Sequence, residues 1–304
     1  MRLGFDKPVE CKAVSQDHSN STRVWLYRLA ALLSRRLPRR FAYWCGLRIA
    51  DFYHWRRPAA RQAVIGNLRR IYAARGITPA ETSLPGLARK TFQHFGKYLV
   101  DFFRCARLTE EELRDFVTLE NVAALRDAAA RGKGVLAVTA HLGNWELGGA
   151  VIAALGYRLN AVALPQTSRR LDRLFNEQRA GRGIHVLPLG HAAFALVRCL
   201  QRGEIVALLG DRDFNHHAER TEFFGAPAPL PRGPARLALQ TGAPLVPVFL
   251  LRQEDDTFLL RCHPPIYPEE AGSEAAIRAA WVAALEQEIA AAPWQWFLFE
   301  DFWK

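Results

Sequence analysis

The chain is 304 residues long, 50% hydrophobic and 23% charged, a balance that excludes both a disordered chain and a bundle of membrane spans. Its 41 basic and 30 acidic residues leave a net charge of +11, which calls for an anionic partner: nucleic acid, an anionic membrane, or a phosphorylated or acidic substrate. The five cysteines, Cys11, Cys45, Cys105, Cys199 and Cys262, show no CxxC spacing, which suits a reducing compartment and argues against a zinc ribbon.

Residues 1–23 read as a polar, poorly ordered lead-in without the apolar core of a secretory signal. No stretch of about 20 uninterrupted apolar residues follows, so a spanning helix is not expected. Residues 24–57 form a distinct segment. Between Val24 and Trp55, six arginines (Arg28, Arg35, Arg36, Arg39, Arg40 and Arg48) are set among Trp25, Leu26, Phe41, Trp44, Phe52, Tyr53 and Trp55, and Pro38 divides the segment into two helices. Arginine mixed with interfacial aromatics on amphipathic helices is the composition of a membrane-surface anchor. The alternative is packing on the main domain, with arginine stems covering apolar surface.

Residues 58–304 read as a single α/β domain. Pro58–Ala74 carries Val64, Leu68 and Ile71 at helical spacing, and helices are also predicted over Pro85–Cys105 and Asn121–Arg131. From Gly132 onward apolar strand-like runs (Gly134–Val138, Leu159–Leu164, His185–Leu189, Ile205–Leu209, Leu245–Leu251, Phe258–Cys262) alternate with helical ones (Asn144–Leu155, Ser168–Arg182, Ala192–Arg202, Pro234–Thr241), and a last helix covers Ser273–Ala291. The alternation predicts a mostly parallel central sheet flanked by helices, preceded by a helical N-terminal segment. Such sheets carry their chemistry at strand C-terminal ends. His141 and Asp211 both follow predicted strands there.

The stretch around His141 carries the most chemistry. On one continuous helix, His141 and Glu146 would point about 140° apart. With His141 in the turn and Glu146 one turn into the helix they meet, and a histidine held by a carboxylate is the minimal unit for deprotonating an alcohol. Gly143, Gly148 and Gly149 permit close approach, and Asn144 reads as the helix N-cap. Asp211–Arg212–Asp213 reads either as a polar strand cap or as an anion-binding corner. His216 and His217 lack the spacing of a good metal site. Thr221–Pro234, which contains Phe224, Gly225, Arg232 and Gly233, reads as a Pro/Gly-rich loop covering a site. Arg179 and Arg182 share one helical face and can both look into a cleft. No GxxxxGK[ST] or GxGxxG is present, so a nucleotide cradle is not supported.

His141 and Glu146 match the His-x4-Asp/Glu motif of the lysophospholipid acyltransferase superfamily, and the form His-Leu-Gly-Asn-Trp-Glu resembles its lipid A biosynthesis (lauroyl/myristoyl) acyltransferase branch. The likeness continues in order through Arg61–Leu68, Phe92–Phe103 with Gly96 and Asp101, Arg179, Asp211–Arg212–Asp213, Phe224–Gly225, Thr241–Gly242–Ala243 with Pro247, and Pro293–Trp294–Gln295–Trp296. It spans Val24 to Lys304.

The resemblance implies transfer of a fatty acyl chain from an acyl carrier protein or coenzyme A thioester to a hydroxyl of an amphipathic lipid, at the cytoplasmic face of an inner membrane. His141 is then the general base and Glu146 its orienting partner, with no metal and no cofactor beyond the acyl donor. Backbone N–H groups at the Asn144 helix start are candidates for the oxyanion. Gly143, Asn144, Arg179, Arg182, Asp211, Arg212, Asp213, Phe224, Gly225, Arg232 and Gly233 are the expected substrate-binding residues.

Two departures leave the acceptor open. Arginines interrupt the N-terminal helix, and Phe299–Glu300–Asp301 stand where lipid A enzymes carry a basic pair. Asp211–Arg212–Asp213 and the segment Gly-Pro-Ala-Arg-Leu-Ala from Gly233 are similar to the related phosphatidylinositol mannoside acyltransferases.

Two other classes fit less well. An ester hydrolase wants Gly-x-Ser-x-Gly, which does not occur. A nucleic-acid binder wants aromatic and basic residues interleaved on a sheet or recognition helix, and here they concentrate in the N-terminal helices.

Overall fold

The computed structural model describes residues 19–78, 83–105, 109–163, 168–188, 192–213 and 219–304. Most of the lead-in expected over 1–23, and His216 and His217, lie outside the described residues.

Four helices open the fold: α1 (Ser19–Arg36), α2 (Arg39–Arg56), α3 (Pro58–Ala74) and α4 (Leu84–Cys105). Pro38 stands as the N-cap of α2, so the break falls where its missing N–H and fixed φ predict. Next come α5 (Glu110–Phe116), β1 (Val117–Glu120), α6 (Val122–Ala130), β2 (Val135–Thr139), α7 (Trp145–Ala154), β3 (Leu159–Ala163), α8 (Arg169–Ala180), β4 (Ile184–Pro188), α9 (Ala192–Gln201) and β5 (Ile205–Leu209). The C-terminal part holds β6 (Glu219–Phe223), β7 (Ala226–Leu230), α10 (Gly233–Thr241), β8 (Leu245–Arg252), β9 (Phe258–Cys262), α11 (Pro268–Ala271) and α12 (Glu274–Ala291), then a 3-10 turn at Pro293–Gln295.

Seven strands form one sheet in the order β1-β9-β8-β2-β5-β3-β4. Every pairing is parallel except β8 with β9. The sheet is buried on both faces, as parallel strands require. Leu136, Val138 and Ala140 contribute to the core shared with α9, α10 and α12, while Val135 and Ala137 face the core beneath α6 and α7.

The loop expected over Thr221–Pro234 is instead a hairpin. β6 and β7 pair antiparallel, with Phe224 (φ 49°) and Gly225 (φ 68°) as the two turn residues, both left-handed as a tight two-residue turn requires. Pro227 and Pro229 sit opposite Glu222 and Arg220, the alternate pairs in which the ladder needs no N–H, while Ala226, Ala228 and Leu230 turn inward.

Candidate active site

Strand register builds the site. β2 and β5 pair in parallel with Thr139 opposite Leu209, and the Gly210 N–H still donates to the Thr139 carbonyl at 2.8 Å. Two residues further along each strand, His141 and Asp211 therefore lie side by side. His141 Nδ1 stands 2.9 Å from Asp211 Oδ1, and the His141 main-chain N–H donates to Oδ2 at 3.0 Å. The Trp296 indole N–H donates to the same Oδ2 at 3.0 Å. Asp211 is fully buried. Burial alone would raise its pKa, but the neighbouring His141 and the three hydrogen bonds outweigh it and hold the carboxyl below its usual range. A charged carboxylate only accepts, so Nδ1 carries the ring proton and Nε2 is the basic nitrogen.

The sequence reading gives His141 to Glu146, and the structure gives it to Asp211. Glu146, in the first turn of α7, is taken by Arg179 of α8: Nε lies 3.1 Å and 3.0 Å from the two carboxylate oxygens. Both side chains are largely buried, and Glu146 counteracts the desolvation of Arg179, whose pKa is raised. The pair lines a small cavity with Phe102, Cys105, Gln178, Arg182 and Ile184. Arg179 and Arg182 thus do face one cavity, together with Glu146.

The turn between β2 and α7 is held from below. Gly143 has φ +63°, and a Cβ there would come within 2.0 Å of the Leu250 carbonyl oxygen, so no side chain fits. Its N–H donates to the Gln295 carbonyl at 2.9 Å, and the Asn144 N–H donates to the Leu250 carbonyl at 2.8 Å. Of the main-chain donors around this helix start, those of Gly143 and Asn144 are therefore already used. The Phe297 N–H donates to the His141 carbonyl at 2.7 Å. The Gln295 side chain in turn clasps the Arg252 main chain, accepting from its N–H at 2.9 Å and donating to its carbonyl at 2.8 Å. The C-terminal tryptophan motif is thus the strap that holds the histidine loop.

An aromatic wall flanks the imidazole. The Trp145 ring lies edge-on to His141 at 5.1 Å and stacks on Tyr98 at 4.4 Å, with Phe297 behind. Between α7 and the sheet lies a small apolar cavity of about 30 Å³, lined by Ala137, Thr139, Trp145, Gly148, Gly149, Ile152, Ala207, Val248, Leu250 and Leu260.

Residues 11–304 match the family described as bacterial lipid A biosynthesis acyltransferase. The chain belongs to this family. It is similar to the phosphatidylinositol mannoside acyltransferase of Mycobacterium tuberculosis (strain CDC 1551 / Oshkosh), 28% identical over 307 residues that cover 96% of this chain and 93% of that protein. It is also similar to the phosphatidylinositol mannoside acyltransferase of Mycolicibacterium smegmatis (strain ATCC 700084 / mc(2)155), 28% identical over 252 residues that cover 81% of this chain and 82% of that protein. Membership of the lipid A acyltransferase family makes the protein an O-acyltransferase acting on a lipid acceptor.

Several expected binding residues have other work in this lipid A acyltransferase fold. Phe224 and Gly225 are the hairpin turn, and the Phe224 N–H donates to the Glu286 carboxylate on α12. Arg232 pairs with Glu274 and Glu219 at 2.6 Å and 3.3 Å, and Gly233 opens α10. Arg212 pairs with Glu300 of the C-terminal segment. Asp213 follows on the same loop. Trp296 and Gln295 entered the sequence reading only as part of a signature. The readable signal for the Asp211 pairing is that His141 and Asp211 follow the ends of two predicted strands by three and two residues.

Proposed function

We propose that the protein moves a fatty acyl chain from an acyl thioester, carried by acyl carrier protein or coenzyme A, to a hydroxyl of a glycolipid or phospholipid acceptor at a membrane surface. The single observation that carries this reading is the pairing of His141 with the fully buried Asp211 at neighbouring strand ends. In the reaction Nε2 takes the acceptor hydroxyl proton as the oxygen attacks the thioester carbonyl. Asp211 stabilises the imidazolium. The imidazolium then protonates the departing thiolate as the carbon–sulfur bond breaks.

Arg179, fixed by Glu146, is the candidate for gripping an anionic group of donor or acceptor. The apolar faces of α1 and α2 rest on the cytoplasmic leaflet of the inner membrane as a peripheral or monotopic contact. No described helix is long and apolar enough to cross a membrane.

A lipid A precursor-like glycolipid is the first acceptor to test. A phosphatidylinositol mannoside-type acceptor is the second, favoured by the names of the relatives that align with nearly the whole chain. The Arg212–Glu300 pair also places a carboxylate where lipid A enzymes are expected to be basic.

The test is acyl transfer by His141→Ala in vesicles holding each acceptor. Loss of turnover with unchanged vesicle binding supports the mechanism. Turnover within a fewfold of wild type sinks it. The acceptor that supports wild-type turnover decides between the two lipids.

A further inference from the structure

We infer that the side-chain amide of Asn144 is a catalytic residue, with Nδ2 donating a hydrogen bond to the oxyanion that forms on the thioester carbonyl. The inference rests on the acyl-transfer reading of the His141 site.

The N–H groups of His141, Gly143 and Asn144 go to Asp211, Gln295 and Leu250 respectively. The Leu147 N–H in the first turn of α7 goes to Asn144 Oδ1 at 3.1 Å. That bond caps the helix and fixes the plane of the amide, leaving Nδ2 on the side away from the helix turn. Asn144 is only 1% exposed, yet its Nδ2 finds no hydrogen-bond partner among the described residues. An unpaired buried amide donor is unfavourable, so an acceptor that reaches it during the working cycle is bound to advantage.

Three residues from His141, the acceptor that fits is the oxygen that gains charge in the reaction. As the acceptor oxygen adds to the carbonyl carbon, the carbonyl π electrons move to oxygen. The same pair returns as the carbon–sulfur bond breaks and His141 protonates the thiolate. A donor fixed beforehand in a buried site gains strength at the moment this charge develops, with no reorganisation. The first turn of α7 adds its dipole in the same direction.

The test separates capping from donation. Asn144→Ser and Asn144→Thr keep a side-chain oxygen that caps α7 but remove the amide donor. The expected result for both is a fall in kcat of about 10²–10³-fold, the usual effect of losing one oxyanion donor. KM and thermal midpoint should stay near wild type, and the pH profile should be unshifted, because His141 and Asp211 are untouched. A kcat within threefold of wild type in the serine variant overturns the inference. So does a kcat loss that comes with a raised KM, a lowered midpoint or a shifted pH profile, which assigns Asn144 to holding the loop. His141→Ala is assayed beside them. If it remains active, the acyl-transfer mechanism itself has failed; if it is inactive while Asn144→Ser is not, only the present inference falls.

Discussion

At the scale of single residues, Asp211 decides what His141 can do. Its Oδ1 fixes the tautomer, and its Oδ2 is held by the His141 main chain and by Trp296. Asp211→Asn keeps the size and one carbonyl acceptor but presents an amide that favours the wrong tautomer. On the proposed mechanism kcat should fall by on the order of 10⁴, the size of the effect for an Asp→Asn change in a serine protease triad. The folded protein should remain, as a circular dichroism melt will check. The pH sense follows from the lowered pKa of Asp211. Its contribution to stability is present above the unfolded carboxyl value and is lost only as pH falls through the lower folded value. Asp211 therefore stays charged below the usual aspartate pKa of 3.8, and the acidic limb of kcat should not belong to it. A limb retained unchanged in an active Asp211→Glu variant agrees with that assignment. Gly149 is a second single-residue lever. A Cβ there would meet Ile184 Cδ1 at 3.2 Å and Leu159 Cδ2 at 3.3 Å, both in the buried core between α7 and the sheet. Gly149→Val overpacks that core and should lower stability by about 1–3 kcal/mol, read as a lowered midpoint in a urea melt.

At the scale of elements, the parallel sheet was legible and its decorations were not. β2, β3, β4, β5, β8 and β9 stand within a residue or two of the apolar runs that predict them, because strands buried on both faces have no polar alternation to hide them. β1 escapes that signal: it is an edge strand with only Val117 buried, and Thr118 and Glu120 read as polar chain. The β6–β7 hairpin escapes because prolines at alternate, non-donating positions look like a loop in one dimension. The same limit applies to the site. His141 is readable from its own neighbours. Its partnership with Asp211 depends on a register between strands 70 residues apart, and no local pattern encodes that register. Register also governs acid stability near the N-terminal ends of β3 and β5. Glu204 accepts from Arg202 and from Asn160, with its pKa taken from 4.5 to about 2, chiefly by the Arg202 hydrogen bond. Its contribution is complete above about 4.5 and fades as pH falls toward 2. Glu204→Gln should therefore lower the thermal midpoint at pH 6 and narrow its difference from wild type as pH approaches 2.

At the scale of the whole molecule, the N-terminal helices are bound to the sheet-bearing part and yet leave an apolar face uncovered. The binding is through a buried cluster in which Tyr43 of α2 donates to Asp101 of α4 at 2.6 Å, while Arg252 at the end of β8 pairs with Asp101 and donates to Tyr43 at 3.0 Å. Burial and the adjacent Asp101 push the Tyr43 hydroxyl's pKa well up, so it stays a donor. Asp101→Ala would leave Arg252 buried with its main charge partner gone, a change that costs about 3–5 kcal/mol. Because Gln295 clasps the Arg252 main chain, that variant should lose turnover as well as stability, and a urea melt beside a kcat measurement will read both. The uncovered face is chemically different. Ten of the fourteen exposed large apolar side chains among the described residues lie on α1 and α2: Trp25, Leu26, Leu32, Leu33, Phe41, Trp44, Ile49, Phe52, Tyr53 and Trp55. Exposed Arg28, Arg36, Arg40 and Arg48 are interspersed. A patch this concentrated marks a surface that meets another phase or partner. The arginines add attraction to anionic headgroups of about 1 kcal/mol each. Trp44→Ser with Phe52→Ser changes only exposed positions, so the folded core should be untouched and the thermal midpoint should move by no more than a few degrees. Each ring half-buried in a bilayer contributes about 1–1.5 kcal/mol, so together they should weaken partitioning into anionic vesicles by roughly 30–150-fold. Added salt should weaken the remaining arginine-driven binding further. Partitioning that is unchanged in the double variant, or insensitive to salt, would show that this face meets something other than an anionic bilayer. Turnover on a lipid acceptor presented in vesicles should fall with the partitioning, while turnover on the same acceptor dispersed in detergent should not, because His141, Asp211 and the cavity beneath α7 lie outside the altered face.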